Sequence, residues 1–331
     1  MLQHNEQLND PGVHEKVKKG KRNKKPKEKK ERTSFKKGLQ QWREVFPFLI
    51  VGLLGTACFV IYPLFKGIVM SFQEYSIMPG ADSPWVGIEN YARAFQDPTF
   101  GYAVRNTFLN TVVTVPINWF LGIFFAVLIN MQFIKYKITF RTLYYLPIIT
   151  SWIVVAFLFR YLFAAGDGGF INYILYTQLG LIDEPISWLQ NQWTAMFVIW
   201  TFHIWKTVGW TVVIYLAALQ GVPKSLYEAA RIDGANALNL FRHVTIPMLA
   251  PITIFVVINL VMGAFNIFPQ VYFITGGGPM HQTEVLQSMI FNEAFTNMNF
   301  GYSSAVGVMM GLTIFILTWT QQKKIGKQKF Y

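Results

Sequence analysis

Six apolar runs, at residues 46–70, 108–131, 142–164, 194–220, 248–274 and 303–320, constrain this chain more than any other feature. Each is close to the ~20 residues that a helix needs to cross a hydrocarbon layer of ~30 Å. None contains Asp or Glu. In lipid every backbone N–H and C=O must bond within the protein, so runs of this kind fold as helices. A soluble fold would need charged, amphipathic helices to cover them. With 53% of the chain hydrophobic and only 14% charged, such helices are missing. The expected fold is therefore an all-α polytopic membrane protein with six transmembrane helices. Pro63, Pro116, Pro147 and Pro269 interrupt the runs. Each removes a backbone donor and predicts kinked helices packed in a bundle.

Orientation follows from the segments between the runs, because short cytoplasmic loops carry an excess of Lys and Arg. The N-terminal tail, the 132–141 loop (Lys135, Lys137, Arg141), the 221–246 loop (Lys224, Arg231, Arg242) and the C-terminus (Lys323, Lys324, Lys327, Lys329) are basic. Segments 165–193 and 275–302 hold acids and no Lys or Arg, and in 71–107 the acids outnumber the bases. Six spans with both termini cytoplasmic satisfy every segment. The chain then divides into a basic cytoplasmic tail (1–45), a transmembrane domain (46–322) with a cytoplasmic loop at 221–246, and a short basic C-terminus (323–331).

Of the 29 Lys and Arg residues, 14 lie in the first 45 positions, so the net charge of +12 belongs largely to the tail. That excludes a basic folded surface for nucleic acid. Lys-rich and poor in aliphatic residues, the tail cannot bury enough surface to offset its ordering entropy and is expected to be disordered. Two roles are open to it: attraction to anionic lipid of the cytoplasmic leaflet, or a solvated arm that fixes orientation. The lone cysteine, Cys58, rules out an intrachain disulfide and a multi-cysteine metal site.

The cytoplasmic loop, "EAARIDGANALNLFRHVTIP" from Glu228, concentrates charge in a chain that otherwise avoids it. Ser225 followed by Glu228 fits a capping box, "LYEAARID" favours helix, and Asp233–Gly234 supplies a turn at the helix C-terminus. Asn236 then caps a second helix running to about Val244, and Pro247 opens the fifth span in its first turn. Capping alone accounts for Glu228 locally; docking to a partner is the other reading.

The same segment resembles the EAA signature of permeases from ATP-binding-cassette importers, in which fixed positions fall on Glu228, Ala229, Ala230, Gly234, Val244, Ile246 and Pro247. The resemblance implies a type I importer permease fold. It also implies that the loop forms coupling helices, with Glu228, Ala229, Ala230, Asp233, Gly234 and Pro247 seating them in a cleft of a cytoplasmic ATPase subunit. Further implied partners are a second homologous permease subunit, two copies of the ATPase and an extracellular solute-binding protein. ATP and magnesium would be bound by those partners, so this chain needs no cofactor, metal or catalytic residue of its own.

Segments 85–107, 168–189 and 273–306, the last containing "TGGGP", look like the carbohydrate branch of that family, which includes maltose and glycerol-3-phosphate permeases. A sugar needs hydrogen-bonding groups and flat aromatic faces in a polar cavity. In the fourth run His203, Lys206 or Thr207, and Trp210 recur at helical spacing and can share a face; in the fifth, Phe265, Asn266 and Gln270 are available. By the resemblance His203, Thr207, Trp210, Phe265 and Asn266 match sugar-contacting positions of the maltose permease, although the residue types differ at the three fourth-span positions and Pro269 replaces a polar contact. A lysine in a span is costly, so Lys206 faces either a wet cavity, where it would favour an acidic sugar, or a partner group. The expected function is passage of a sugar or oligosaccharide, with a sugar or polyol phosphate as the alternative solute. An ion-coupled transporter would need paired acids in the spans. A membrane enzyme would need an acid–base or metal constellation, and His4, His14, His203, His243 and His281 are scattered without ligand spacing.

Overall fold

The structure is a computed structural model that describes residues 35–78, 80, 82–131 and 136–325. Among the described residues its regular structure is helical, apart from one isolated antiparallel bridge between Gln73 and Trp85. It divides into two units, 1–59 and 60–331. The first contains α1 (Phe35–Thr56). Residues 35–45, expected to belong to a disordered tail, are thus the start of a helix. The rest of the tail, like residues 326–331 at the C-terminus, lies outside the described residues.

The second unit holds α2 (Tyr62–Met70), α3 (Glu89–Gln96), α4 (Pro98–Asn130), α5 (Lys137–Ile149), α6 (Trp152–Leu162) and the short α7 (Phe170–Asn172). Then follow α8 (Gln192–Gln220), α9 (Lys224–Ile232), α10 (Ala237–Leu240), α11 (Ile246–Phe265), α12 (Phe268–Ile274), α13 (Leu286–Phe291) and α14 (Phe300–Ile325). Five helical runs are long and apolar enough to cross a membrane: Val45–Met70, Pro98–Asn130, Gln192–Gln220, Ala237–Ile274 and Phe300–Lys323. The sixth expected span is a bent pair, Thr142–Ile149 and Trp152–Leu162, at 100° to each other. A single helix over 142–164 is therefore corrected to two. The chain leaves helical conformation at Thr150 (ψ 150°) and Ser151 (ψ 133°), shortly after Pro147 has removed one donor from the helical ladder.

The other prolines act differently. α4 continues through Pro116 unbroken. Pro269 sits in the first turn of α12, where no N–H is needed, just after a second break at Asn266 and Ile267.

The core forms around α4 and α8. Ala103, Ile123 and Ala126 of α4, Val212, Tyr215 and Leu219 of α8, Leu249, Val256 and Leu260 of α11 and Val306 of α14 belong to one buried cluster. Small residues let the backbones approach, as is usual between membrane helices. A Cβ built on Gly122 of α4 would fall 2.2 Å from Thr211 Cγ2, and one on Gly209 of α8 only 1.9 Å from the Tyr144 carbonyl oxygen of α5. The inward side of α4 is polar: Asn106, Thr107, Asn110, Thr114 and Asn118 are all fully buried. A second cluster joins Val155, Ala156, Phe159 and Phe163 of the α6 region to Val198 and Phe202 of α8 and Ile274 of α12.

The segment between the third and fourth spans is organised by one amide. Asn172 is 1% exposed; its Nδ2 donates to the carbonyls of Ala164, Gly166 and Ile186, and its Oδ1 accepts from Ile186 N and Trp188 Nε1. Replacing Asn172 by alanine would orphan all of these groups at once. The expected loss is on the order of 3 kcal/mol, since an unsatisfied buried group costs ~1–3 kcal/mol. It should be seen as a lowered melting temperature with a red-shifted Trp188 emission, and an unchanged melting curve would remove Asn172 from this role.

Candidate functional site

On the side assigned to the cytoplasm, α9 and α10 form a helical hairpin. The expected capping box is absent: Pro223 occupies the N-cap, no side chain caps the helix, and Ser225 and Glu228 are both exposed. Proline pre-sets the entry to the helix at Lys224, which places Ser225 inside the first turn instead of before it. The turn itself forms as the sequence indicates. Asp233 ends α9 and Gly234 follows at φ +81°, a region glycine enters at no steric cost. Gly234 N donates to Arg231 O at 3.0 Å and Ala235 N to Ala230 O at 2.9 Å. These are the paired bonds of a Schellman turn. Asn236 then caps α10, its Oδ1 accepting from Asn239 N at 2.9 Å.

The second helix does not stop near Val244, and Pro247 does not open a separate span. α10 passes through a π turn at Phe241–Thr245 straight into α11. Ile246 N donates to Phe241 O, five residues back. That wider turn makes room for Pro247, which would otherwise clash with the preceding turn. Tyr227 of α9 lies 3.1 Å, oxygen to oxygen, from the Thr245 hydroxyl, tying the hairpin to the π turn. Glu228, Ala229, Asp233 and Gly234 are exposed and Ala230 is half-buried. The hairpin thus offers an acidic side chain and small residues on a braced surface.

Within the membrane-spanning region, a cavity of about 270 Å³ opens between α8 and α11, lined by His203, Thr207, Trp210, Asn259, Leu260 and Gly263. Three of the residues picked by spacing on the fourth run therefore meet at one wall. The Thr207 hydroxyl lies 2.7 Å from the His203 carbonyl oxygen and 3.1 Å from Asn118 Oδ1, so one donated proton fixes it and its lone pairs are left to accept. His203 is 3% exposed, and Gln270 Nε2 of α12 lies 3.0 Å from its Nδ1. Trp210 packs against Phe255 at 6.2 Å between ring centroids, presenting an aromatic face. Together these give a wall of donors, acceptors and one flat ring without a formal charge, which suits a polyhydroxylated solute.

The other candidates lie elsewhere. Lys206 is 2% exposed, and its Nζ donates to Pro147 O, Thr150 O and Thr150 Oγ1 at the break after α5. Phe265 is fully buried, edge-on to Phe108 at 5.5 Å. Asn266 caps the end of α11 and donates to Met262 O at 2.8 Å. Three lining residues, Asn259, Leu260 and Gly263, escaped the sequence reading, the first and last of them marked in the sequence. Their signal was present: one polar residue in the middle of the fifth run with a glycine four positions later, hence on one helical face.

The "TGGGP" element is a turn seated on α4. Gly276 and Gly277 have φ of +62° and +83°. Thr283 Oγ1 donates to Gly278 O at 2.6 Å, and Asn106 Nδ2 donates to the carbonyls of Gln282 (2.7 Å) and Glu284 (2.8 Å). Glu284, 1% exposed, fills the space over Gly277, where a Cβ would lie 2.1 Å from its Oε2.

Residues 95–323 match the sequence profile of the family described as "Binding-protein-dependent transport system inner membrane component". The chain is 37% identical over 290 residues to the arabinooligosaccharides transport system permease protein AraP of Halalkalibacterium halodurans, covering 87% of this chain and 90% of that protein. It is 32% identical over 294 residues to the lactose transport system permease protein LacF of Rhizobium radiobacter, covering 87% and 97%. In fold it is similar to a chain of a bacterial ABC transporter involved in the import of the acidic polysaccharide alginate, with a TM-score of 0.79 at 20% identity, covering 89% of this chain and 99% of that one. A second structure of that kind, solved in complex with an alginate pentasaccharide-bound periplasmic protein, gives a TM-score of 0.77.

Proposed function

The chain belongs to the family of binding-protein-dependent transport system inner membrane components, with the type I importer permease fold, and from that premise we propose that it passes a sugar or oligosaccharide through the membrane as one transmembrane half of an ATP-driven importer. The observation that carries the sugar reading is the uncharged wall of His203, Thr207, Trp210 and Asn259 around a cavity of about 270 Å³. The names of the relatives, which specify arabinooligosaccharides and lactose, support the same class of solute. In this reading a second permease supplies the opposite wall, two cytoplasmic ATPase subunits bind ATP and magnesium, and an extracellular binding protein delivers the solute. The exposed Glu228 hairpin is the docking element for one ATPase, and this chain itself performs no chemistry.

Reconstitution in vesicles tests the proposal. Uptake of a neutral oligosaccharide should require the co-reconstituted ATPase and ATP, and uptake driven by an ion gradient in this chain alone would overturn it. Trp210→Ala should lower uptake about tenfold, because loss of one aromatic face costs on the order of 1 kcal/mol or more. A sugar phosphate transported in preference to neutral sugars would replace the substrate class while leaving the importer intact.

A further inference from the structure

Burying an ammonium is tolerated only where its protons and charge are fully answered. Lys206 meets that condition on one short stretch of backbone. A lysine has three donors and no acceptor, and its three acceptors are the carbonyls of Pro147 and Thr150 and the Thr150 hydroxyl, the last at 2.9 Å. All belong to the C-terminal end of α5. Carbonyls there have lost their helical partners and carry the negative end of the helix dipole. The face of Trp152, first residue of α6, lies 5.1 Å from Nζ. One side chain of α8 therefore grips both lips of the break. Gly209, one turn further along α8, brings the same helix into backbone contact with α5 at Tyr144.

The second broken span is held in the same way by a different helix. Asn110 of α4 donates from Nδ2 to Ala264 O at 2.8 Å, immediately before the break at Asn266 and Ile267. Beyond the two breaks, α6 and α12 pack on each other: Phe157 lies 5.6 Å from Phe273 between ring centroids, and Ile274 is buried in the cluster of Val155 and Phe159. Two short half-spans thus share one core. Each joins its inner half through a two-residue link, while α8 runs unbroken past both.

We propose that Lys206 is a positioning residue, whose ammonium clamps α5 to α8 and sets the bend about which α6, together with α12, moves as one body during transport. It selects no acidic sugar, because its three protons are spent on the break and none is offered to the cavity. The uptake arm of the test and the ATP dependence of labelling rest on the importer reading; the change in labelling rate does not.

The complete transporter, carrying Cys58→Ser and Ser151→Cys, is labelled with a small thiol reagent in the presence and absence of ATP. Ser151 suits this use, being exposed and making no side-chain cap bond. Lys206→Met should raise the labelling rate about tenfold and abolish its dependence on ATP, as expected when a local opening loses its main restraint. Thr150→Ala should give a smaller increase and carries the test if the lysine variant fails to assemble. The double variant should exceed Lys206→Met by little, because both remove one interaction. Maximal uptake of a neutral sugar should fall with Lys206→Met, at an unchanged half-saturating concentration. Unaltered labelling in both single variants would overturn the proposal, as would a half-saturating concentration that rises for acidic sugars alone. Loss of all uptake in the parent transporter, with the labelling pattern as expected, would instead count against the importer reading.

Discussion

With the hairpin docked on an ATPase as proposed, alanine at Glu228 should reduce ATP-dependent uptake about a hundredfold while the ATPase subunits continue to hydrolyse ATP. Removing one partner of a desolvated, hydrogen-bonded charge pair across an interface costs ~2–5 kcal/mol, which is the scale of that loss. The fold should hardly register the change. Glu228 is exposed, and Pro223 rather than a side-chain cap begins α9. An exposed substitution of this kind stays within about 0.5 kcal/mol. Because the capping explanation for Glu228 finds no support in the helix geometry, a stability effect and a coupling effect are now separable. Measuring uptake, ATP hydrolysis and melting temperature on one preparation decides: intact coupling with a lowered melting temperature would return Glu228 to a local structural role.

The largest effect on stability is expected at Gly209. A methyl group there would lie 1.9 Å from Tyr144 O and 3.0 Å from Tyr144 C, and both are backbone atoms of a helix that cannot swing aside. α5 and α8 would have to separate by roughly 1 Å, and overpacking of this sort costs ~1–3 kcal/mol or more. The displacement would also pull the three acceptors away from Lys206, so the expected total lies at or above the top of that range. Gly209→Ala should sharply lower the yield of folded protein and its melting temperature. Gly311→Ala in α14 is the matched control, since a Cβ there meets nothing within 4 Å. Equal behaviour of the two variants would mean that α5 and α8 are not in backbone contact.

Much of the fold could be read from hydropathy, because a span is a property of one continuous segment. Five of the six runs are helical stretches long and apolar enough to cross a membrane, the fifth with its short break at Asn266 and Ile267, and the turn at Asp233–Gly234 follows from local backbone preference at glycine. The broken third span was not legible for the opposite reason. Proline announces a missing donor at Pro147, but the break is stabilised by Lys206, 56 residues after Thr150, and its acceptors are mostly main-chain carbonyls that leave no mark in a sequence. Lys206 stood out as an anomaly, and only its partners were hidden.

The cavity divides along similar lines. His203, Thr207 and Trp210 share one helical face and meet at one wall, as their spacing implies. Lys206 sits at the margin of that face, and its long stem carries the charge to the neighbouring helix. Asn259 and Gly263 come from a different span, so no spacing rule on the fourth run could have found them. The capping box at Ser225 failed because the motif ignores the residue ahead of it, where Pro223 had already fixed the helix start.

The uninterrupted passage from α10 through the π turn into α11 turns the distance between Gly234 and Pro247 into a matter of phase. No loop separates the hairpin from the fifth span, so no slack exists to absorb a change in length. One residue inserted between Ala237 and Pro247, where the helix is unbroken, would rotate everything beyond it by about 100° relative to the turn at Gly234. Asn259 and Gly263 would then look away from His203 while the hairpin kept its outward aspect. The number of residues in this stretch is therefore an angular setting, locking the azimuth of the cavity wall to that of the exposed acidic surface.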